Sequence, residues 1–255
     1  MGDTPRQLVG VYPMGRGGLL EIPYRHYFEV KHLKQKVHFD QTMNVLELGC
    51  GNGRWALSLA PIVKHYTGVD FSRSALDIAQ EDAQMAGLKN VELREQSILD
   101  FQGDRPYDIV YFSGVTQYLQ DEEINKVLKN LAPHFKRNTV FIDRSTVNYR
   151  EREILSTAQY YSIFRTPREL NDIFSAFGFH IIYEKRSYRF LRGGRFVRSR
   201  YLLNILPPLA HFTRPVSYYV MLFFSFMADI LSPKPFEGGD RSHDFLIFER
   251  NDIHE

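Results

Sequence analysis

Short apolar runs alternate with longer amphipathic stretches along most of this chain. Met43 to Leu48 is an apolar run that ends in glycines, which predicts a buried strand. Arg54 to Val63 follows as a helix, with Ala56, Leu57, Leu59 and Ala60 on its inner side. His65 to Val69 reads as a second strand. Ser72 is placed to cap a helix running to Ala86, and Gly87 stands where that helix stops. Val91–Arg94 and Tyr107–Phe112 supply a third and fourth strand. Asp121 is expected to cap the next helix, with Glu122 and Glu123 in its first turn, and Thr139–Asp143 is the fifth strand. Thr166, Pro167 and Glu169 form a capping box. The helix behind it carries Leu170, Ile173, Phe174 and Phe177 and ends at Gly178. Phe179–Glu184 and Asp244–Phe248 complete the set as a sixth and a seventh strand.

This β-α alternation predicts an α/β fold: a Rossmann-like, doubly wound, seven-stranded sheet, mostly parallel. The domain reading is a cap segment over 1–40, a core over 41–185, an insertion over 186–242 and the last core strand over 243–255.

The chemistry concentrates in Glu47-Leu48-Gly49-Cys50-Gly51-Asn52-Gly53, between the first strand and the first helix. Glycines there let the backbone turn sharply and approach a ligand closely. Asp70 follows at the tip of the second strand, placed to accept hydrogen bonds from ribose hydroxyls. A nicotinamide dinucleotide fingerprint would place its third glycine where Arg54 stands, so the G-x-G-x-G spacing counts against that cofactor. The remaining alternative is a tight turn with no ligand.

As a set, these segments resemble the class I S-adenosylmethionine-dependent methyltransferases, in their small-molecule branch. VLELGCGNG is similar to the family's first motif, and GVDFS to its second. YDIVYFSGVTQYL matches the fourth-strand motif, and LKNLAPHFKRNTVFID the helix and strand after it. RTPRELNDIFSAFGF is similar to the late helix, so the resemblance spans about Asn44 to Lys185. It implies S-adenosylmethionine as cofactor, an antiparallel last strand, and a set of contacts. Gly49, Cys50, Gly51 and Gly53 would line the methionine part, with Glu47 helping to hold that end. Asp70 would bind the ribose, Phe71 would lie against the adenine, and Ser97 and Ile98 would flank its edge. Many relatives have an acid where Ser97 stands. Ser113 would sit beside the cofactor. No metal is implied.

The sulfonium is already an activated donor, so alignment of the acceptor is the main requirement. A general base is needed only for a protonated acceptor. Tyr27, Gln117 and Tyr118 are candidates, each with a packing role as the simpler reading. The same holds for Tyr24, His26, Tyr149, Tyr160 and Tyr161.

The stretch between the sixth and seventh strands is long for a loop. It leaves a parallel strand at the edge where ligands bind, which makes it a candidate lid. Between Arg186 and Ala228 it holds no acid, and it carries Arg189, Arg192, Arg195, Arg198, Arg200 and Arg214. Gly193-Gly194 is placed to turn a hairpin, and after Pro207-Pro208 the chain turns apolar and aromatic. Arg192, Arg195 and Arg198 are candidates for an acceptor phosphate or an anionic membrane surface. A lipid or lipid-linked glycan acceptor follows from that reading. The plainer one is a subdomain that packs on the core or on a second subunit, giving a homodimer.

Composition narrows little else. With 32 Lys+Arg against 30 Asp+Glu the net charge is +2, and no RNA-binding module is recognisable, so nucleic acid is not the expected partner. The single cysteine, Cys50, excludes an internal disulfide framework and a cysteine-rich zinc site, and a cytoplasmic protein is expected. MGDTPRQLVG has no signal-peptide core, and Arg6 stands where a myristoylation signal needs Ser or Thr. Pro215–Leu231 is shorter than the roughly 20 residues of a spanning helix. Peripheral membrane attachment through the insertion is the alternative location. The chain is expected to be a methyltransferase acting on an O or N atom of a small molecule, lipid or lipid-linked glycan. A non-catalytic S-adenosylmethionine-binding module and an RNA methyltransferase are the alternatives.

Overall fold

A computed structural model of the chain describes residues 26, 29–158, 160–186 and 241–250. The helix α1 covers positions 29–36. It is followed by β1 (Asn44–Leu48), α2 (Arg54–Leu59), β2 (His65–Asp70), α3 (Arg73–Met85), β3 (Val91–Glu95) and β4 (Tyr107–Ser113). Then come α4 (Asp121–Leu131), β5 (Phe135–Asn148), β6 (Glu153–Thr157), β7 (Tyr160–Phe164), α5 (Pro167–Ser175), β8 (Phe179–Arg186) and β9 (Arg241–Arg250).

Seven strands form one sheet in the order β3-β2-β1-β4-β5-β9-β8. The pairs β1–β2, β2–β3, β1–β4 and β4–β5 are parallel, while β9 runs antiparallel to both β5 and β8. This is the doubly wound sheet with an antiparallel last strand that the alternation and the resemblance predict. Each face of the pleat buries its own core, because successive side chains of a strand point to opposite sides. Leu46, Leu48, Phe112, Phe141, Phe174 and Phe248 pack on one face. Val45, Trp55, Tyr66, Tyr111, Ile142 and Phe245 pack on the other, with Leu33 and Val37 from the N-terminal helical region.

Local signals set most element ends. The Ser72 hydroxyl accepts the Ala75 N–H at the start of α3, and Gly87 closes that helix with φ 69°. The predicted first helix breaks at Leu59 into a 3-10 turn over Ala60–Ile62, since Pro61 has no N–H to continue it. The Thr166–Glu169 capping box forms, with Pro167 first in the helix. Asp121 does not cap α4. Gln120 takes the capping position and its N–H donates to Glu123 at 2.8 Å. The Asp121 carboxylate is instead drawn to Arg152 (2.7 Å) and Arg165 (2.7 Å).

Two features exceed the sequence pattern. β5 runs to Asn148, five residues past the apolar run, because β9 pairs with it from Val140↔Glu249 to Asn148↔Arg241. A separate hairpin, β6–β7, stands between β5 and α5. The segment between β8 and β9 leaves beside Asp244 at Arg186 and returns beside Asn148 at Arg241. Both points lie at the edge where the parallel strands end. Among the described residues, no helix is long and apolar enough to cross a membrane.

Candidate functional site

The winding of the sheet reverses between β1 and β4, and the crevice outside the carboxyl ends of such strands is where doubly wound sheets hold ligands. The glycine loop occupies this point. Gly49 and Cys50 both donate N–H groups to the Val69 carbonyl, at 2.7 and 3.1 Å, which staples the loop to β2. Gly51 has φ 53° and Gly53 has φ 73°, both in the left-handed region. A Cβ on Gly53 would lie 2.8 Å from that of Ala79, so this glycine lets α2 start hard against α3. Among the described residues, a Cβ on Gly51 would meet no atom within 4 Å, so that position faces open space there.

Asp70 ends β2 and joins the two loops. Its carboxylate accepts the Gly51 N–H at 2.8 Å and the Ser72 N–H at 2.9 Å. A carboxylate offers about four lone-pair directions, so capacity remains for hydroxyl donors. Phe71 follows directly and is 80% exposed, a bare aromatic face beside the acid. The Gln96 N–H donates to the Asp70 carbonyl at 2.9 Å, which brings the Ser97–Ile98 turn alongside. The Ser97 hydroxyl accepts the Leu99 N–H at 3.3 Å, and Ile98 packs its side chain on the core.

Glu47 and Cys50 lie beneath the loop. Glu47 is buried and accepts the Tyr66 hydroxyl, and burial pushes its carboxyl up to about 8. The Cys50 thiol is directed at Gly68 of β2, and burial, then the neighbouring Glu47, raise it well above the ordinary thiol range. The Ser113 hydroxyl, at the end of β4, accepts the indole N–H of Trp55 at 2.9 Å.

Gln117 and Tyr118 follow β4 in a 3-10 turn. Gln117 is buried, its amide oxygen accepts the Thr146 N–H at 3.0 Å, and its carbonyl accepts the Ser162 hydroxyl of β7. The Tyr118 ring meets Tyr160 edge-on at 6.1 Å. Tyr27, Arg192, Arg195 and Arg198 lie outside the described residues, as does most of the 186–242 insertion.

The sequence reading missed a charged cluster at the same edge. Glu29 of α1 is fully buried and accepts the Nε and Nη2 of Arg144, at 2.9 and 2.7 Å, through one oxygen. Its other oxygen lies 3.5 Å from Nη1 of Arg54, the first residue of α2. His26 packs edge-on against Trp55 at 4.8 Å and shares a hydrogen bond with Ser58 at 2.8 Å. No motif flags these residues, because they come from three separate parts of the chain.

The space over Gly51, the acid at Asp70 and the exposed ring of Phe71 fit an adenosyl group: a close backbone, a hydroxyl acceptor and an aromatic face, side by side. Residues 45–138 match the family described as a methyltransferase domain. The ubiquinone biosynthesis O-methyltransferase of Rickettsia typhi (strain ATCC VR-144 / Wilmington) is 28% identical over 156 residues, which is 55% of this chain and 62% of that protein. A probable (S)-tetrahydroprotoberberine N-methyltransferase 2 of Papaver bracteatum is 25% identical over 114 residues, 44% of this chain and 31% of that one. The chain thus spans less than two thirds of the length of either relative. A solved structure of coclaurine N-methyltransferase bound to N-methylheliamine and SAH superposes with a TM-score of 0.61 at 14% identity, covering 88% of this chain and 72% of that one, which shows a shared fold. Strand order, glycine loop and domain match together make this chain similar to the class I S-adenosylmethionine-dependent methyltransferases, the match to a methyltransferase domain lying over residues 45–138.

Proposed function

We propose that this chain binds S-adenosylmethionine across the carboxyl ends of β1, β2 and β3 and transfers its methyl group to an O or N atom of a small molecule. The observation that carries the proposal is Gly51: among the described residues its position faces open space while its N–H is fixed by Asp70. When bound, the cofactor would supply an activated methyl carbon whose neutral thioether is the leaving group for an acceptor lone pair.

The chain's own residues then have separable tasks. Gly49, Gly51 and Gly53 let the backbone approach the methionine part, over the buried Glu47. Asp70 accepts from the ribose hydroxyls while holding Gly51 and Ser72 in place. Phe71 covers one face of the adenine, and Ser97 and Ile98 flank its edge. Ser113, fixed by Trp55, borders the place where the acceptor meets the methyl. In-line alignment there supplies several kcal/mol of the rate enhancement.

The finer reading of the acceptor rests on the insertion. Its two ends lie at the carboxyl edge of the sheet, and it carries Arg192, Arg195 and Arg198 without an acid from Arg186 to Ala228. Their charge suits an anionic acceptor, a lipid or lipid-linked glycan, at a membrane surface. Incubating the protein with labelled S-adenosylmethionine and with lipid, sugar and RNA extracts of the source cell tests both levels. Label in the small-molecule or lipid fraction is expected. Label confined to RNA would overturn the acceptor assignment, and the absence of transfer to any fraction would overturn the activity.

A further inference from the structure

S-adenosylmethionine differs from its product, S-adenosylhomocysteine, by one methyl and one positive charge. A site for the first must therefore tolerate a cation that the second lacks. Among the described residues, two guanidiniums stand close to the proposed site. Arg54 directly follows the glycine loop, and its charge reaches the buried Glu47 below. Arg144 lies opposite Ser113 in the β4–β5 pairing, its carbonyl accepts the Gly114 N–H at 2.6 Å, and a Cβ on Gly114 would be 3.9 Å from its Nη1. Both would repel a sulfonium, and Arg144 is almost wholly buried, where screening by water and salt is weak.

Glu29 answers both. It is fully buried and places one oxygen on Arg144 and the other towards Arg54. It comes from α1, which packs Leu33 into the same core as Trp55 and Phe245. We infer that Glu29 is a positioning residue that neutralises Arg54 and Arg144 at the sulfonium end of the site, and so sets the preference of the protein for S-adenosylmethionine over S-adenosylhomocysteine. The inference rests on the cofactor reading above and adds to it a role for the N-terminal helix. Docking that helix sets the charge of the site as well as its shape.

Titration calorimetry of the full chain with both compounds, at one pH and ionic strength, tests it through the ratio of the two dissociation constants. Glu29→Gln keeps the shape of the side chain and removes one negative charge. It should weaken S-adenosylmethionine about fivefold or more relative to S-adenosylhomocysteine, as expected for a charge acting through partly screened protein. Arg144→Gln should shift the same ratio the opposite way. The double variant restores the net charge and should return the ratio to within about twofold of wild type, and it serves where Glu29→Gln alone does not fold. Equal changes for both compounds in each variant would show a merely structural role and overturn the inference, leaving the cofactor reading intact. A wild-type protein that binds neither compound would instead defeat the cofactor reading itself.

Discussion

The two halves of the sheet's carboxyl edge are built from different materials. Around β1, β2 and β3 the working surface is backbone: glycines in left-handed conformations, amides stapled to Val69, and one carboxylate joining two loops. Around β4, β5 and β9 it is side chains held by long-range polar contacts. Arg144 meets Glu29 across 115 positions, Thr146 meets His243 at 2.9 Å, and Arg165 fixes the β6–β7 hairpin. The first half suits a ligand that stays the same, and the second leaves room for one that varies. A backbone cradle tolerates little change, whereas side-chain contacts can be exchanged while the sheet is kept.

The contrast can be broken at several points. The largest effect should come from Gly51→Val, whose side chain would enter the open space over the loop. Loss of affinity for S-adenosylhomocysteine by about a thousandfold or more is expected in calorimetry, with the fold retained by circular dichroism. Unchanged binding would mean that the cradle lies elsewhere.

Glu47 offers a pH signature beneath that cradle. Burial raises its folded value to about 8 from an ordinary 4.5, so the folded protein holds a proton that the unfolded chain has lost between those values. Stability should therefore fall as pH rises through that window, by about 5 kcal/mol at most. Glu47→Gln should flatten this part of the curve, read as urea midpoints at pH 5 and pH 8. A wild-type protein with no slope there would contradict a neutral buried carboxyl.

On the other half, Arg165 is 1% exposed and donates to the Thr116 and Leu119 carbonyls and to Asp121. Arg165→Met should cost about 3 kcal/mol of stability in denaturant titrations. At temperatures where the variant stays folded, S-adenosylhomocysteine affinity should change by less than about threefold, since none of those partners belongs to the cradle. A large loss of affinity would show that the two halves are not separable.

Asp70→Ala removes the acceptor of two loop amides and of the ribose hydroxyls. A loss of about thirtyfold in cofactor affinity is expected, near 2 kcal/mol. Smallest of all, replacing Arg192, Arg195 and Arg198 together with Gln should leave cofactor affinity within about twofold and weaken binding to anionic vesicles. No change in vesicle binding would remove the proposed contact of these arginines with a membrane.

The same contrast explains what could be read in the chain. Gly49 to Asp70 is contiguous, so turn chemistry and one spacing were enough to locate the loop and its acid. β9 was legible from its apolar run Phe245–Phe248, although its true length was not, because the pairing of Asn148 with Arg241 joins two polar residues. The β6–β7 hairpin escaped notice. Its connection contains Ala158-Gln159 in place of Gly, Asn or Asp, and Ile154 points outward. Glu29, Arg54 and Arg144 carry no pattern at all until the fold brings them together. Local conformational rules leave a trace in sequence, and pairings across a hundred residues do not.

In this reading a backbone cradle and one carboxylate hold an adenosyl cofactor. Crystals grown with S-adenosylhomocysteine test it most directly. Density is expected over Gly51, with the ribose hydroxyls on Asp70 and the adenine against Phe71. An empty crevice at residues 49–53 in such crystals, or the same compound bound elsewhere on the chain, would contradict it.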